Sequence, residues 1–249
     1  MPPPRSPAIV LIPTYNEREN LEPLIPRVLQ AAPQADVLLI DDESPDGTAD
    51  HARHLFGREP RFAVLRRAAP RGLGRSYVDG YLHALAAGYA RIAQMDADLS
   101  HDPDCLPALL DAALDADVAL GSRYCPGGAV RDWPIRRILL SRFANAYVRA
   151  VAGVPARDST SGFRCYTREA LLRIGVDQIV SNGYAFQVEM TFRAHRAGLR
   201  IAEVPITFTD RTRGRSKISR SVLIESMILP WRLRLGLAGG SRQAVESQG

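Results

Sequence analysis

Two apolar runs in this chain each end on acidic residues. Val37-Leu38-Leu39-Ile40 runs into Asp41-Asp42, and Ala90-Arg91-Ile92-Ala93-Gln94-Met95 runs into Asp96-Ala97-Asp98. Short aliphatic runs bounded by polar residues read as buried strands, and carboxylates at the tips of parallel strands can hold a nucleotide and its metal. Asp96 and Asp98 alternate along extended backbone, so a turn directly after the strand must bring both toward one ion, with Ala97 leaving room for a ligand. Such an all-oxygen pair suits a hard divalent cation, Mg2+ or Mn2+, bridging a diphosphate.

The same alternation extends along the chain. Strands are expected near 8–12, 36–40, 61–66, 90–95 and 117–121, with helical patterns over 17–31, after Asp46-Gly47-Thr48, and from about Arg75 to Gly88. This is the signature of βαβ units around a mostly parallel sheet, a Rossmann-like α/β class. Asn16 is expected to cap the first helix, with Glu17 and Glu19 near its positive end. Beyond residue 130 the alternation lapses. A helix from Pro134 to Val151 precedes a strand near 163–166, helices near 167–174 and 185–198, a strand at 200–208 and a last helix from about 218. With no repeat and no low-complexity linker, the chain reads as one domain over 1–237, with a loose polar tail at 238–249. Within it, residues 8–130 form the alternating half and 131–237 a C-terminal elaboration.

Charge divides the chain along the same line. Residues 1–130 carry 12 Lys and Arg against 18 Asp and Glu, whereas residues 131–249 carry 20 against 9. The acidic half suits a metal and the basic half suits anions. No zinc-finger, RRM or helix-turn-helix spacing is present, so a phosphorylated substrate or anionic lipid fits better than nucleic acid. Cys105, Cys125 and Cys165 form no C-x-x-C pair and read as reduced packing residues. The short apolar run from Ala8 to Ile12 is no secretory signal, and no stretch of about 18 uncharged apolar residues spans a bilayer. A cytoplasmic protein, peripheral to the membrane's cytoplasmic face, is expected.

Several short blocks occur in one order: Pro13-Thr14-Tyr15-Asn16-Glu17, Asp41-Asp42-Glu43-Ser44-Pro45-Asp46-Gly47-Thr48, Gly72-Leu73-Gly74, Asp96-Ala97-Asp98-Leu99-Ser100-His101, Gly121-Ser122-Arg123-Tyr124, Ser161-Gly162-Phe163-Arg164 and Gly183-Tyr184-Ala185-Phe186-Gln187-Val188-Glu189-Met190. Over residues 8–229 this set closely resembles the dolichol-phosphate (polyprenol-phosphate) mannose synthases, inverting glycosyltransferases of GT-A fold. The resemblance implies a mostly parallel sheet flanked by helices with C-terminal amphipathic helices. It further implies transfer of mannose from GDP-mannose to a polyprenyl or dolichyl monophosphate with inversion. A glucosyltransferase using another nucleotide sugar, and a non-catalytic nucleotide-sugar-binding protein at the membrane, are the alternatives.

The resemblance also assigns residues. Pro13, Tyr15, Glu17 and Asp42 would contact the nucleoside, with Asp41 positioning the loop, and Gly74 would let backbone approach the diphosphate. Asp96, Ala97 and Asp98 would bind the donor, and Asp96 and Asp98 the metal. Ser100 stands where related enzymes often carry a Gln that joins the metal shell, and would be a shorter, neutral ligand. Arg123, Arg137 and Ser141 would grip the acceptor phosphate; Arg137 and Ser141 are i and i+4, on one helix face. Arg211 and Lys217 belong to a glycine-containing basic loop resembling the family's Arg-x-x-Gly-x-Ser-Lys and would act with Asp98 and Arg123 in catalysis. Apolar residues at helical spacing among arginines over 135–151 and 222–237 read as interfacial helices, and a membrane-protein partner is possible in this family.

Overall fold

The computed structural model describes residues 7–68, 72–179, 181, 183–210 and 220–235. Strand β1 (Ala8–Thr14) is followed by a 3-10 turn and helix α1 (Leu21–Ala31), then β2 (Ala35–Asp41), α2 (Thr48–Phe56), β3 (Phe62–Arg66), α3 (Leu73–Ala87) and β4 (Arg91–Gln94). Next come α4 (Leu106–Asp115), β5 (Val118–Ser122), β6 (Ala129–Arg131) and α5 (Ile135–Ala152). The chain continues through β7 (Arg164–Thr167), α6 (Arg168–Ile174), α7 (Gly183–Arg196), β8 (Ile201–Pro205), β9 (Thr207–Thr209) and α8 (Arg220–Arg234).

Seven strands form one sheet in the order β3-β2-β1-β4-β7-β5-β8, and β6 pairs with β9 in a small second sheet. All neighbours in the large sheet are parallel except β7, which runs antiparallel to both β4 and β5. Because β1, β2 and β4 share one direction, Thr14, Asp41 and Gln94 end on the same edge, where open α/β sheets bind their ligands. The Asp41 and Asp96 tips lie on either side of β1. Two strand spacings, roughly 10 Å, separate them, a span suited to a nucleoside diphosphate.

Every residue of β1 and β2 is buried, as a parallel strand covered on both faces requires. Val10, Ile12, Val37 and Leu39 face α1 and α4, packing on Leu24, Ile25, Leu109 and Leu110. Ile9, Leu11, Leu38 and Ile40 face α3, α6 and α7, packing on Tyr77, Tyr81, Leu171 and Phe186. Gly80 permits the closest approach of α3: a Cβ there would lie 2.4 Å from Ile40 Cδ1. A third cluster, including Val148, Phe192, Leu229 and Leu233, joins α5, α7 and α8.

Two expectations change. Asn16 does not cap a helix: its φ is +61°, and its N–H donates to Ser44 Oγ at 3.0 Å, so the residue turns the chain and a 3-10 turn over Arg18–Asn20 leads into α1. Asn tolerates the left-handed region better than most residues, which is why it serves in the turn. The strand expected at 200–208 is split at Ile206, whose side chain is buried in the sheet while β9 leaves to pair with β6. Arg211, Lys217 and the 238–249 tail lie outside the described residues.

Candidate active site

The β1 tip is braced by the loop after β2. Asp41, buried, accepts from Thr14 Oγ1 at 3.2 Å, Ser44 Oγ at 2.6 Å and Ser44 N–H at 3.0 Å, so it positions that loop. Glu17 donates its N–H to Thr48 Oγ1 at 3.2 Å and accepts from Asn20 Nδ2 at 2.7 Å. Pro13 is buried, while Tyr15 and Glu17 are partly exposed on the same rim. Asp42, expected as a nucleoside contact, is buried against Arg67 and accepts the Gly72 N–H at 2.9 Å. Arg67 also donates through Nε to Asp79 at 2.6 Å. Burial lowers its pKa and the two carboxylates outweigh that, leaving the guanidinium more firmly charged than usual. Gly72, at φ +148°, turns the chain into α3, so Gly74 lies in the first turn and the helix's positive N-terminus stands beside the site.

The acidic tip of β4 has the turn that the spacing required. Leu99 adopts φ +64°, and Ser100 donates both its N–H, at 3.1 Å, and its hydroxyl to Asp98 Oδ1. Ser100 is therefore buried with its hydroxyl turned onto the carboxylate. Asp96 is oriented from two sides. Tyr77, fully buried on α3, donates its hydroxyl to Oδ1 at 3.1 Å, and the Asp96 N–H donates to His101 Nδ1 at 3.1 Å. Burial first, and the Asp96 charge next, push the Tyr77 phenol well above its ordinary range, so it remains a donor. Burial pushes His101 down against the pull of Asp96 and Asp98, which keeps the imidazole neutral and able to accept.

The donor set fits a divalent cation. Asp96 and Asp98 offer hard oxygens on one turn, and Gly162 leaves the space beside them open: a Cβ there would sit 3.2 Å from Asp96 Oδ2. No cage of three or more His, Cys, Asp or Glu side chains exists among the described residues. Two carboxylates with room for further oxygen ligands would suit a divalent cation such as Mg2+ or Mn2+.

A basic and aromatic wall adjoins these carboxylates. His101 stacks on Phe163 at 5.0 Å and meets Phe208 edge-on at 5.3 Å; Phe208 in turn meets Trp133 at 5.3 Å. Arg123 lies over Tyr124, Trp133 and Phe208 at 5.3 to 5.5 Å. Its fork is taken by the fully buried Asp158, through Nε at 2.7 Å and Nη2 at 2.6 Å, and Nη2 also reaches Thr160 Oγ1 at 2.7 Å. Burial raises the Asp158 pKa, and the Arg123 hydrogen bonds and charge outweigh it, holding the carboxyl below its usual value. Arg137, on the first turn of α5, stacks on Trp133 at 3.8 Å and donates from Nη1 to both oxygens of Asp210 at 2.9 Å. Ser141 lies one turn further, its carbonyl accepting from Asn145 Nδ2 at 3.0 Å.

The chain matches the family model described as glycosyl transferase family 2 over residues 9–175. This chain belongs to glycosyltransferase family 2. Among its curated relatives, the polyprenol monophosphomannose synthase of Mycolicibacterium smegmatis is 47% identical over 230 residues, covering 91% of this glycosyltransferase and 87% of the relative. The undecaprenyl-phosphate mannosyltransferase of Micrococcus luteus is 44% identical over 220 residues, covering 88% and 90%. The fold is the expected GT-A fold. It is similar to that of glucosyl-3-phosphoglycerate synthase from Mycobacterium tuberculosis, solved with Mn2+, UDP and glucosyl-3-phosphoglycerate, at a TM-score of 0.64, 20% identity and coverage of 92% and 80%. A mannosyltransferase from Pyrobaculum calidifontis, solved with GDP-Man and Mn2+, aligns at a TM-score of 0.57, 16% identity and coverage of 94% and 76%.

The glycosyltransferase thus gathers Pro13, Tyr15, Glu17, Asp42, Gly74, Asp96, Ala97 and Asp98 at one sheet edge, with Arg123, Arg137 and Ser141 on the adjoining wall. Sequence reasoning missed Asp158, Trp133, Phe208, Tyr77 and Arg67, each of which holds a named site residue. Their signal was only proximity to a motif: Trp133 precedes α5, and Asp158 precedes the Ser161-Gly162-Phe163-Arg164 block. Glu189 receives Ser181 N–H at 3.1 Å and Arg193 Nε at 2.8 Å, whereas the buried Arg164 is held by the Ser159 and Ser161 carbonyls.

Proposed function

We infer that this glycosyltransferase moves mannose from GDP-mannose to a polyprenyl monophosphate, giving the β-linked mannosyl phosphodiester. The observation that carries the reading is the continuity of three surfaces: the Asp96/Asp98 tip, the arginine and aromatic wall, and an exposed apolar face on α5 that begins at the same wall. Ile135 is 75% exposed and Phe143 63%, and Leu139 and Leu140 lie between them, so a phosphate at Arg137 would have its hydrocarbon tail beside apolar side chains. The names of the relatives above 40% identity support the same donor sugar and acceptor class.

Each group has a defined task in this reading. A phosphate monoester has its second pKa near ~6 and is mostly ionised at neutral pH, so its oxygen attacks without a general base. That oxygen forms a bond to the anomeric carbon from the face opposite the diphosphate. The carbon–oxygen bond to the nucleoside diphosphate breaks, its electron pair leaves with the diphosphate, and the configuration inverts. Asp96 and Asp98 would hold Mg2+ or Mn2+, which neutralises charge on the departing diphosphate. Tyr77 and Ser100 fix those carboxylates, the α3 N-terminus faces the diphosphate, and Tyr15, Glu17 and Asp42 contact the nucleoside. Arg123 shapes the acceptor wall through Asp158, and Arg137 with Ser141 receives the acceptor phosphate. Arg211 and Lys217 are assigned by resemblance to the loop closing over both substrates.

The membrane would be met by the paired faces of α5 and α8. Tyr147 donates its hydroxyl to the Met227 carbonyl at 2.7 Å and Arg234 to the Val151 carbonyl at 3.0 Å, tying the helices side by side. Their exposed Leu139, Phe143, Met227 and Trp231 lie among Arg136, Arg142, Arg149 and Arg232, a composition for an anionic cytoplasmic leaflet. No helix of the described residues is long and apolar enough to cross a membrane. A membrane-protein partner would reinforce this peripheral attachment.

The deciding experiment supplies labelled GDP-mannose and, separately, UDP-glucose with a short polyprenyl phosphate, with Mg2+ or Mn2+ and then with chelator. Metal-dependent mannosyl lipid, lost in Asp98→Ala, is the expected result. Product from UDP-glucose alone would overturn the mannose assignment, and full turnover in Asp98→Ala would overturn the metal site.

A further inference from the structure

Two arginines on the acceptor wall each carry a carboxylate, and the two pairs are built differently. Arg123 is 7% exposed and Asp158 wholly buried, and two separate nitrogens of the guanidinium meet the two carboxylate oxygens in a parallel fork. Arg137 and Asp210 are each 30% exposed, and both Asp210 oxygens converge on the single nitrogen Nη1 at 2.9 Å. Water competes for the second pair and does not reach the first, so the first is permanent and the second exchangeable.

What sits on Arg137 has the form of a ligand. Asp210 presents two oxygens sharing one negative charge, which is the outline of one edge of a phosphate group. The arginine's other face is fixed by its stack on Trp133 at 3.8 Å, so the guanidinium can exchange partners without leaving its place. Asp210 also has a backbone anchor: its N–H donates to the Arg131 carbonyl at 3.3 Å, which holds that backbone beside Arg137 whichever anion the guanidinium carries.

We propose that Asp210 is a built-in stand-in for the acceptor phosphate: it occupies Arg137 until a phosphate displaces it, so that every phosphate ligand meets the same internal competition. The inference rests on the reading of Arg137 as an acceptor-phosphate residue. A monoester carrying about −1.5 to −2 charges at pH 7 outbids a carboxylate carrying one. Mannosyl transfer converts the monoester to a diester with a single charge, the remaining charge having left with the nucleoside diphosphate. The product's hold on Arg137 therefore weakens while Asp210 stays as strong, which favours release. Weakly bound anions are excluded from the seat in the same way. When a site is blocked for a fixed fraction of the time, all ligands of that site lose affinity by one common factor.

The test compares wild type, Asp210→Asn, Asp210→Ala and Arg137→Ala in three measurements: KM for a short polyprenyl phosphate, inhibition by the matching polyprenyl phosphomannose, and inhibition by inorganic phosphate. Both Asp210 variants are expected to lower all three constants together, by about two- to fivefold, the range for an exposed ion pair. Weakening of all three, or no change, in both Asp210 variants would overturn the proposal, because Asp210 would then only orient Arg137. Tightening of the acceptor without inorganic phosphate and product would overturn it as well. Arg137→Ala separates the two levels. If it leaves the acceptor KM unchanged, the acceptor-site reading fails and takes the stand-in with it; if it raises that KM while the Asp210 variants tighten nothing, only the stand-in fails.

Discussion

At Asp158 a single buried carboxylate holds the Arg123 guanidinium in place. Breaking a buried pair leaves an uncompensated charge, so Asp158→Asn should destabilise the protein by about 3–5 kcal/mol at neutral pH. The folded-state pKa of Asp158 lies below its ordinary value. The stabilisation is therefore present above about pH 4 and is lost as pH falls through the folded-state value. Urea midpoints should differ widely between wild type and variant at pH 7 and converge at strongly acid pH; a constant gap would show that the pair is not its source. Tyr77 acts at the other wall. Removing its hydroxyl in Tyr77→Phe should weaken Mn2+ binding by about 10- to 100-fold, read by direct metal titration, because Asp96 loses its orienting donor. The residues proposed for the donor and its metal were legible in the sequence because their motifs are local: Asp96 and Asp98 lie within three residues, and Pro13 to Glu17 form one turn. Asp158 and Tyr77 were not, since each meets its partner across 35 and 19 residues and no short motif records such a pairing.

Among the elements, α3 does two tasks, presenting its N-terminus to the site and carrying Tyr77 beneath it. Gly80 sets its distance from the sheet. Gly80→Ala adds one methyl group where Ile40 and Leu11 already stand, so the expected loss is about 1–3 kcal/mol by overpacking, partly offset by the ~1 kcal/mol better helix propensity of alanine. Denaturant unfolding measures it, and a stabilised variant would mean that α3 has room to move. The strands β1, β2 and β5 were readable from apolar runs, the pattern of strands covered on both faces, and β3 and β4 from shorter runs bounded by polar residues. The helix Leu106–Asp115 went unassigned and the break at Ile206 was unseen. A strand that leaves one sheet for another keeps the same local composition on both sides of the change, so periodicity has nothing to register.

For the whole molecule, the apolar faces of α5 and α8 lie on one side with the acceptor wall at their margin. Binding to vesicles rich in anionic lipid, followed by Trp231 fluorescence and sedimentation, should fall by about tenfold or more in a Phe143→Glu, Trp231→Glu variant, while neutral vesicles bind weakly in both cases. Equal binding of wild type and variant would place the membrane elsewhere. The antiparallel strand β7 has a consequence in time. It comes from residues 164–167 yet lies between β4 and β5, and β8 flanks β5 on the far side. The first 130 residues therefore contain β3-β2-β1-β4 with one edge of β4 unpaired, and β5 with neither of its neighbours, β7 and β8. Closure waits for the residues around Arg164, which also carry the loop beside Asp96. During synthesis the Asp96 and Asp98 carboxylates are thus made early, but their surroundings are completed only when the later part of the chain threads back into the middle of the earlier one.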